Sequence, residues 1–309
     1  MRLATISIGQ TQRIGVVEDQ SVRLLPETMG DMVVAIGQGQ QAIALAAAQA
    51  TELVPLHSVS VLAPIQRFGR DILCTGWNYL DHFEESRGKR EGQDVALPEA
   101  PTFFTKSPRT VIGPYADIGL DPHISAKWDY EAEVGLVIGK RCCSVSRAQA
   151  LDCVFGYFLA NDVSQRDLQR RHGGQWLKGK SIDGTMPIGP YIVTPDELDL
   201  VHGQLQLHLN GMVMQDARLG QMAFDIATLV SELSFGMTLD VGDVLITGTP
   251  AGIGNAREPQ VFLCPGDVVA VSATGLGELR NRIVLTDLHG QTDIPSMSGG
   301  RIPNEGQVA

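Results

Sequence analysis

Short apolar segments alternate with polar turns near the N-terminus. Residues 6–8 and 14–17 are apolar and flank a polar stretch, which predicts two short strands. Residues 40–53 are rich in alanine and have the pattern of a helix, and Pro64 then breaks the pattern. These elements predict a small N-terminal αβ domain over residues 1–69, and no group of catalytic residue types lies in it.

From Asp71 onward, short apolar segments are separated by Gly, Pro, Asn and Asp, which predicts a domain built mainly from strands. The apolar spacing over residues 222–235 and a serine-led segment at 146–152 predict two helices. The predicted strands cover residues 72–76, 131–138, 154–159, 205–209, 212–215, 244–247 and 268–272. The fourth and fifth of these form a hairpin, because Asn-Gly between them is the preferred turn dipeptide.

Two segments contain little that could be buried. Residues 86–98 are polar and contain glycine, which predicts a mobile loop. Residues 286–309 are mainly Gly, Ser, Pro and polar residues, which predicts a loose C-terminal tail. The chain is therefore predicted to be α+β and mainly β, with a small domain over 1–69, a larger domain over 70–285 and the tail.

Two glutamates occupy one face of the strand predicted at 131–138. Glu131 and Glu133 are two residues apart, so they point the same way, while Ala132 lies on the other face. Paired like charges repel unless a cation lies between them or one is protonated. Asp162 ends a neighbouring predicted strand and is the predicted third acid. Three carboxylates without a His or Cys partner favour a hard cation such as Mg²⁺, Mn²⁺ or Ca²⁺. An exposed edge strand with solvated acids explains the pattern equally well.

A histidine and a glutamate follow the strand that ends at Gly76. His82 and Glu85 are three residues apart, so one helical turn would place them on the same face within hydrogen-bond reach. A histidine that a carboxylate orients can act as a general base. From these residues alone, an ordinary surface histidine beside an acid is the simpler explanation. The position of the pair before the polar loop favours a site.

The composition and net charge of the chain limit the classes of function that it can have. The chain has 309 residues, 43% hydrophobic and 19% charged, with a formal net charge of −11. Such an acidic chain should be repelled by nucleic acid and by anionic membrane surfaces, so neither is an expected partner. An enzyme of this charge that acts on anions needs a local positive centre, and a bound metal would supply one.

The cysteines and the N-terminus bear on the compartment. Five scattered cysteines without a CxxC pair argue against a disulfide framework and against a zinc ribbon. No signal peptide is expected from the first residues, and no stretch reaches the roughly 18 apolar residues of a membrane span. A cytoplasmic enzyme with reduced structural thiols is therefore expected.

Six motifs, in this order, resemble the fumarylacetoacetate hydrolase superfamily over most of residues 70–285. They are Gly76-Trp77-Asn78-Tyr79 with His82 and Glu85; Phe104-Thr105-Lys106; Glu131-Ala132-Glu133; Asn161-Asp162 with Arg166 and Gln169; Gly179-Lys180-Ser181; and Ile246-Thr247-Gly248-Thr249-Pro250. Residues 173–180 are similar to the branch that contains diketo-deoxy-sugar-acid hydrolases. The chain departs from the usual pattern at Trp77 and at residues 182–185.

The resemblance implies a mixed β roll with a small N-terminal domain, assembled as a homodimer. It implies a resident Mg²⁺ or Mn²⁺, for which Ca²⁺ could substitute in a crystal. The implied residue roles are as follows: metal ligands, Glu131, Glu133 and Asp162; catalytic residues, His82, Glu85 and Lys180; substrate-binding residues, Tyr79, Lys106, Arg166, Gln169 and Thr249.

The favoured function is hydrolytic cleavage of a carbon–carbon bond in a 2,4-dioxo acid, which yields pyruvate or a similar 2-oxo acid and a carboxylic acid. In this scheme His82 activates a water, and Lys180 stabilises the oxyanion. Decarboxylation or keto–enol isomerisation at the same site is the alternative, and a non-catalytic metabolite-binding β domain is the alternative of another class. Ligand binding is expected to close residues 80–98 over the site and to bring His82 onto Glu85. Removal of Glu131 or Asp162 is expected to relieve repulsion in the metal-free protein.

Overall fold

The computed structural model describes residues 1–88 and 96–288. Its helices are α1 Met32–Gln38, α2 Gln40–Gln49, α3 Leu80–Glu85, α4 Arg147–Ala150, α5 Arg166–Arg171 and α6 Ile226–Ser234. Its strands are β1 Arg2–Ile8, β2 Thr11–Glu18, β3 Ser21–Leu24, β4 Leu53–Pro55, β5 Ser60–Val61, β6 Ile72–Gly76, β7 Thr102–Lys106, β8 Val111–Ile112, β9 Ile118–Leu120, β10 Trp128–Asp129, β11 Ala132–Ile138, β12 Val154–Asn161, β13 Ser164–Gln165, β14 Met186–Val193, β15 Gln204–Leu209, β16 Met212–Arg218, β17 Val244–Ile246, β18 Val268–Ala273 and β19 Gly277–Leu285. The fold is mainly β, as the sequence predicts.

Most strands belong to one long sheet. Its order is β4-β3-β2-β1-β14-β12-β11-β17-β6-β7, with β5 paired to β1 and β8 paired to β14. A five-stranded sheet has the order β16-β15-β18-β19-β9, and β10 pairs with β13. Parallel pairs occur within both larger sheets, at β17 with β6 and at β19 with β9, so each sheet is mixed.

The N-terminal strands are continuous with the rest of the long sheet. Arg2 and Leu3 of β1 pair with Val193 and Ile192 of β14. No sheet boundary therefore falls at residue 69, and the division of the chain into domains at that point stays a prediction.

The structure shifts the start of one predicted helix and confirms the predicted hairpin. The helix predicted over 222–235 begins at Ile226, because the side chain of Asp225 accepts a hydrogen bond from the backbone of Thr228 and caps the helix there. The predicted hairpin is confirmed, and both turn residues, Asn210 and Gly211, have the positive φ that such a turn requires.

Strand β11 lies in the interior of the long sheet, between β12 and β17. Every residue of β11 is buried, and a side chain at Gly135 would collide with Phe158 of β12. The strand begins at Ala132, one residue later than predicted. The alternative of an exposed edge strand with solvated acids is therefore wrong.

The described helices are short. The longest is α2, which has 10 residues. Within the part of the chain that the structure describes, no helix is both long and apolar enough to span a membrane.

Candidate functional site

Three carboxylates meet at one end of the β11–β12 pair. One ligand oxygen from each of Glu131, Glu133 and Asp162 lies within 4.8 Å of the others, and all three residues are buried. The pairing of Ala132 with Asn161 sets this arrangement, because it places the residues flanking both strand ends side by side. Asp162 also donates its backbone N–H to the carbonyl of Glu131 at 2.9 Å. The strand register thus builds the acid cluster.

Three buried cations surround these acids. Lys180 Nζ lies 2.6 Å from Glu131 Oε2 and 2.6 Å from Asp162 Oδ2. Lys106 Nζ lies 2.5 Å from Asp162 Oδ1. Arg166 pairs with Asp129 at 2.8 Å and with Glu131 at 2.7 Å. Arg166 and Lys180 are therefore interior ion-pair partners, and the alternative of solvated surface cations is wrong for both.

The charges of this cluster do not balance when all of its acids are ionised. In that state the acids Glu131, Glu133, Asp162 and Asp129 carry −4 and the cations Lys106, Arg166 and Lys180 carry +3, so the seven side chains sum to −4 + 3 = −1. This excess of negative charge lies beside three carboxylate groups that are hard-ion ligands. The residues therefore fit a divalent cation.

Glu131 and Glu133 differ in how their charge is compensated. Burial raises the pKa of Glu131, but the charges of Lys180 and Arg166 outweigh burial and hold that pKa below its ordinary value. Burial, and then the charges of Asp162 and Glu131, raise the pKa of Glu133 well above its ordinary value. Among the described residues, Glu133 accepts a hydrogen bond only from the backbone N–H of Gly248, at 2.6 Å. Glu133 is thus the acid that most needs an added cation.

The His–Glu pair lies on α3 beside this cluster. His82 Nδ1 lies 2.8 Å from Glu85 Oε1, and Glu85 Oε2 accepts the backbone N–H of Gly252 at 2.8 Å. His82 is 7% exposed, so the surface-histidine alternative is wrong. Glu85 is thus held by both His82 and Gly252, and the expectation that ligand binding closes residues 80–98 over the site and brings His82 onto Glu85 stays a prediction. The middle of the predicted loop, residues 89–95, lies outside the described residues.

A cavity of about 80 Å³ opens onto these groups. Seven of the predicted site residues line it: His82, Glu131, Glu133, Arg166, Gln169, Lys180 and Thr249. Asp162 and Glu85 do not line the cavity themselves. They contact two residues that do, Lys180 and His82 respectively. The structure thus brings the predicted metal ligands, the predicted base and four further residues together at one small space.

Two predicted substrate-binding residues do not line this cavity. The ammonium of Lys106 is fully buried between Asp162 and the carbonyl of Val163, so it is held by the protein. Tyr79 is 3% exposed, and its hydroxyl has no hydrogen-bond partner among the described residues. Direct substrate contact by Lys106 and Tyr79 is therefore not supported, and Lys106 instead orients Asp162.

An aromatic wall stands opposite the charged groups. The ring of Trp176 packs edge-on against Trp77 at 4.8 Å and against Phe104 at 5.0 Å between centroids. Trp176 also covers Gly76, where a Cβ atom would lie 2.3 Å from the indole ring. This wall limits the size of the cavity, and sequence reasoning assigned no function to Trp176.

A buried glutamine that sequence reasoning missed connects the acid cluster to the Thr249 loop. Gln215 accepts the backbone N–H of Ala132 at 2.9 Å and donates to Thr249 Oγ1 and to the carbonyl of Pro250, both at 2.8 Å. A register shift in the hairpin after Leu207 buries two consecutive residues, Met214 and Gln215. The alternation of buried and exposed residues along a regular strand therefore does not predict that Gln215 is buried.

Comparisons with known proteins agree with this geometry. The family model described as fumarylacetoacetate (FAA) hydrolase C-terminal matches residues 71–284. The chain is 38% identical over 265 residues to "Oxaloacetate tautomerase Fahd2a, mitochondrial" of Rattus norvegicus, covering 84% of this chain and 80% of the relative. It is 38% identical over 229 residues to "Oxaloacetate tautomerase YisK" of Bacillus subtilis, covering 74% of each.

Solved structures show the same fold. Fumarylacetoacetate hydrolase from Exiguobacterium antarcticum matches with a TM-score of 0.79 at 35% identity, covering 93% of this chain and all of that one. A 2-hydroxyhepta-2,4-diene-1,7-dioate isomerase from Mycobacterium marinum matches with a TM-score of 0.73 at 30% identity, with 93% and 100% covered. The relatives thus include proteins named for hydrolysis and proteins named for isomerisation.

Proposed function

Because this chain belongs to the fumarylacetoacetate hydrolase family, we propose that it is a metal-dependent keto–enol tautomerase of a small dicarboxylic 2-oxo acid of the oxaloacetate type. The observation that carries the proposal is that His82, held by Glu85, faces the same small cavity as the buried acids. The names of the curated relatives support the choice of substrate and reaction.

Glu131, Glu133 and Asp162 would hold the cation, which we propose to be Mg²⁺ or Mn²⁺ because all three ligands are carboxylates. When bound, the cation supplies Lewis-acid polarisation of the 2-oxo group and of the neighbouring carboxylate. Glu131 and Asp162 keep their ligand oxygens in place through Lys180 and Lys106.

His82 is the proposed base that moves the proton. With its Nδ1–H donated to Glu85, its Nε2 is the free acceptor, so it can take a proton from C3 of the substrate. The proton is then delivered to the 2-oxygen, so one C–H bond is replaced by one O–H bond and the reaction neither adds nor removes atoms. Gly252 holds the far oxygen of Glu85, which fixes the orientation of the imidazole.

Lys180 is the proposed hydrogen-bond donor to the oxygen on which negative charge develops. Burial lowers the pKa of Lys180, but the charges of Asp162 and Glu131 outweigh it and raise that pKa above its ordinary value. Lys180 therefore stays protonated and stabilises charge, rather than acting as the base.

Carbon–carbon hydrolysis is the second candidate, because a bonded His82–Glu85 pair can also activate a water. Tautomerisation is preferred because the curated relatives that cover most of this chain are named for that reaction.

Product analysis separates the candidates. The Mg²⁺- or Mn²⁺-loaded protein would be incubated with enol oxaloacetate, with acylpyruvates and with diketo-deoxy-sugar acids, and the products followed by NMR. We expect rapid interconversion of enol and keto oxaloacetate without release of CO₂. Efficient formation of pyruvate and a carboxylic acid from an acylpyruvate, with no effect on oxaloacetate tautomers, would overturn the proposal in favour of hydrolysis.

A further inference from the structure

We infer that Gln215 is a positioning residue, which holds the strand segment between two proposed metal ligands against the loop that carries Thr249. Gln215 does not line the cavity itself. It acts through Ala132, the residue between Glu131 and Glu133, and through Thr249, which does line the cavity. The inference rests on the proposed function only in taking Glu131 and Glu133 as ligands of a divalent cation.

Side chains take the place of a neighbouring strand at Ala132. After β17 the chain turns away from the backbone of β11, and the N–H of Gly248 donates to the carboxylate of Glu133 instead. At Ala132, the N–H is accepted by Gln215 Oε1 at 2.9 Å, and the carbonyl accepts the hydroxyl of Thr249 at 2.9 Å. Both backbone groups of the residue between the two ligands are therefore held by side chains.

The surrounding groups determine the orientation of the Gln215 amide. Its oxygen faces the N–H of Ala132, and its nitrogen faces the carbonyl of Pro250 at 2.8 Å. The reversed amide would place donor against donor and acceptor against acceptor. Because the amide nitrogen can only donate, Thr249 Oγ1 accepts from it at 2.8 Å and directs its own proton to Ala132. One side chain thus fixes both the strand and the hydroxyl of Thr249.

Gln215 also links the two larger sheets. It lies on β16 of the five-stranded sheet and is 1% exposed, whereas Ala132 begins β11 of the long sheet. Loss of the amide would leave the N–H of Ala132 and the carbonyl of Pro250 without their partners. A buried backbone group without a partner is costly, so the strand would shift and carry the flanking glutamates with it. The amide therefore fixes the spacing of the ligands.

The experiment measures the affinity for Mg²⁺ by calorimetry in Gln215→Met and in a matched control. Methionine is a flexible, unbranched side chain of similar length, so this variant removes the hydrogen bonds and retains the packing. We expect Mg²⁺ affinity to fall by about 10- to 100-fold, the range found when a group that orients metal ligands is lost. The control is Gln204→Met, on the other strand of the same hairpin, where the exposed amide contacts Asp216 at 2.6 Å. Its affinity should equal that of the wild type.

A second variant separates positioning from a general loss of packing. Thr249→Val removes the hydroxyl with little change of shape and should also weaken Mg²⁺ binding. The variant that combines Gln215→Met and Thr249→Val should lose less affinity than the product of the two single effects, because both side chains act through one hydrogen-bonded unit. If Gln215→Met does not fold, Thr249→Val alone provides the test, and wild-type Mg²⁺ affinity in it would overturn the inference.

Three further outcomes would overturn the role of Gln215. They are wild-type Mg²⁺ affinity in a folded but less stable Gln215→Met, an equal loss of affinity in Gln204→Met, and independent effects in the double variant. Because metal binding is the readout, a wild type that binds Mg²⁺ but does not tautomerise oxaloacetate would refute the proposed function and leave this role standing. A wild type that binds no Mg²⁺ would overturn both.

Discussion

The ammonium nitrogen of Lys180 lies 2.6 Å from Oδ2 of Asp162, and neither side chain is more than 3% exposed. The same lysine reaches Glu131, so two of the three proposed metal ligands are also counterions of a buried cation. Metal binding and the stability of the metal-free fold are therefore carried by the same carboxylates.

Asp162→Asn should destabilise the metal-free protein. The substitution leaves the buried ammonium groups of Lys106 and Lys180 without their shared carboxylate, and breaking a buried ion pair costs about 3–5 kcal/mol. The expectation of relieved repulsion, drawn from the sequence, is therefore reversed for Asp162 and for Glu131. Chemical denaturation in EDTA checks this, and a variant as stable as the wild type would contradict the ion-pair arrangement.

Glu133→Gln should have the opposite effect. Because the pKa of Glu133 is raised in the folded protein, its contribution to stability is fully present below the ordinary value of 4.5 and is lost as pH rises through the folded pKa. In EDTA, Glu133→Gln should therefore become increasingly more stable than the wild type from pH 4.5 upward. Denaturation at several pH values measures the difference. Parallel pH profiles would show that Glu133 is not strained by its neighbours.

His82→Ala should reduce kcat by roughly 10²–10⁴-fold, as expected for the loss of a general base. Affinity for the divalent cation should not change, because His82 is not among the three carboxylate ligands. His202→Ala is a matched control, since His202 pairs with Asp199 at 2.9 Å with the same spacing but on the surface. Similar kcat values for both variants would rule out His82 as the base.

Trp176→Ala should widen the range of substrates. Removing the indole opens the space over Gly76 and beside Phe104. The kcat/KM for bulkier 2-oxo acids should therefore rise relative to that for oxaloacetate. We expect the ratio of their kcat/KM values to shift by about 10-fold or more, since one methylene in a hydrophobic pocket is worth about 10- to 200-fold. Leu177→Ala, at an exposed neighbouring position, should leave the ratio unchanged. A Trp176→Ala ratio equal to that of the wild type would contradict the size limit.

The acid cluster could be predicted because strand alternation determines which residues share a face. Two residues of separation placed Glu131 and Glu133 together, and the end of the next apolar segment indicated Asp162. The cations could not be placed by the same reasoning. Lys106 and Lys180 reach Asp162 from β7 and from a short helical turn, across 56 and 18 residues of chain.

The residues that support the site were harder to find. Gln215 is buried because of a register shift within its hairpin, and no local pattern predicts that. Trp176 follows a glycine-rich turn, and only the packing over Gly76 shows that it forms a cavity wall. The N-terminal strands were predicted correctly as local elements. Arg2 and Leu3 pair with Val193 and Ile192 of β14, which are 193 − 2 = 191 and 192 − 3 = 189 positions away, and local patterns do not report such a contact.

The most direct test is the rate of enol–keto interconversion of oxaloacetate, followed by the loss of enol absorbance, before and after removal of the metal. Wild-type protein stripped with EDTA should show only the uncatalysed rate, and Mg²⁺ or Mn²⁺ should restore catalysis. His82→Ala reloaded with the same ion should stay close to the uncatalysed rate. Full activity in the exhaustively chelated wild type, or equal activity in the reloaded variant, would contradict a metal- and His82-dependent tautomerase.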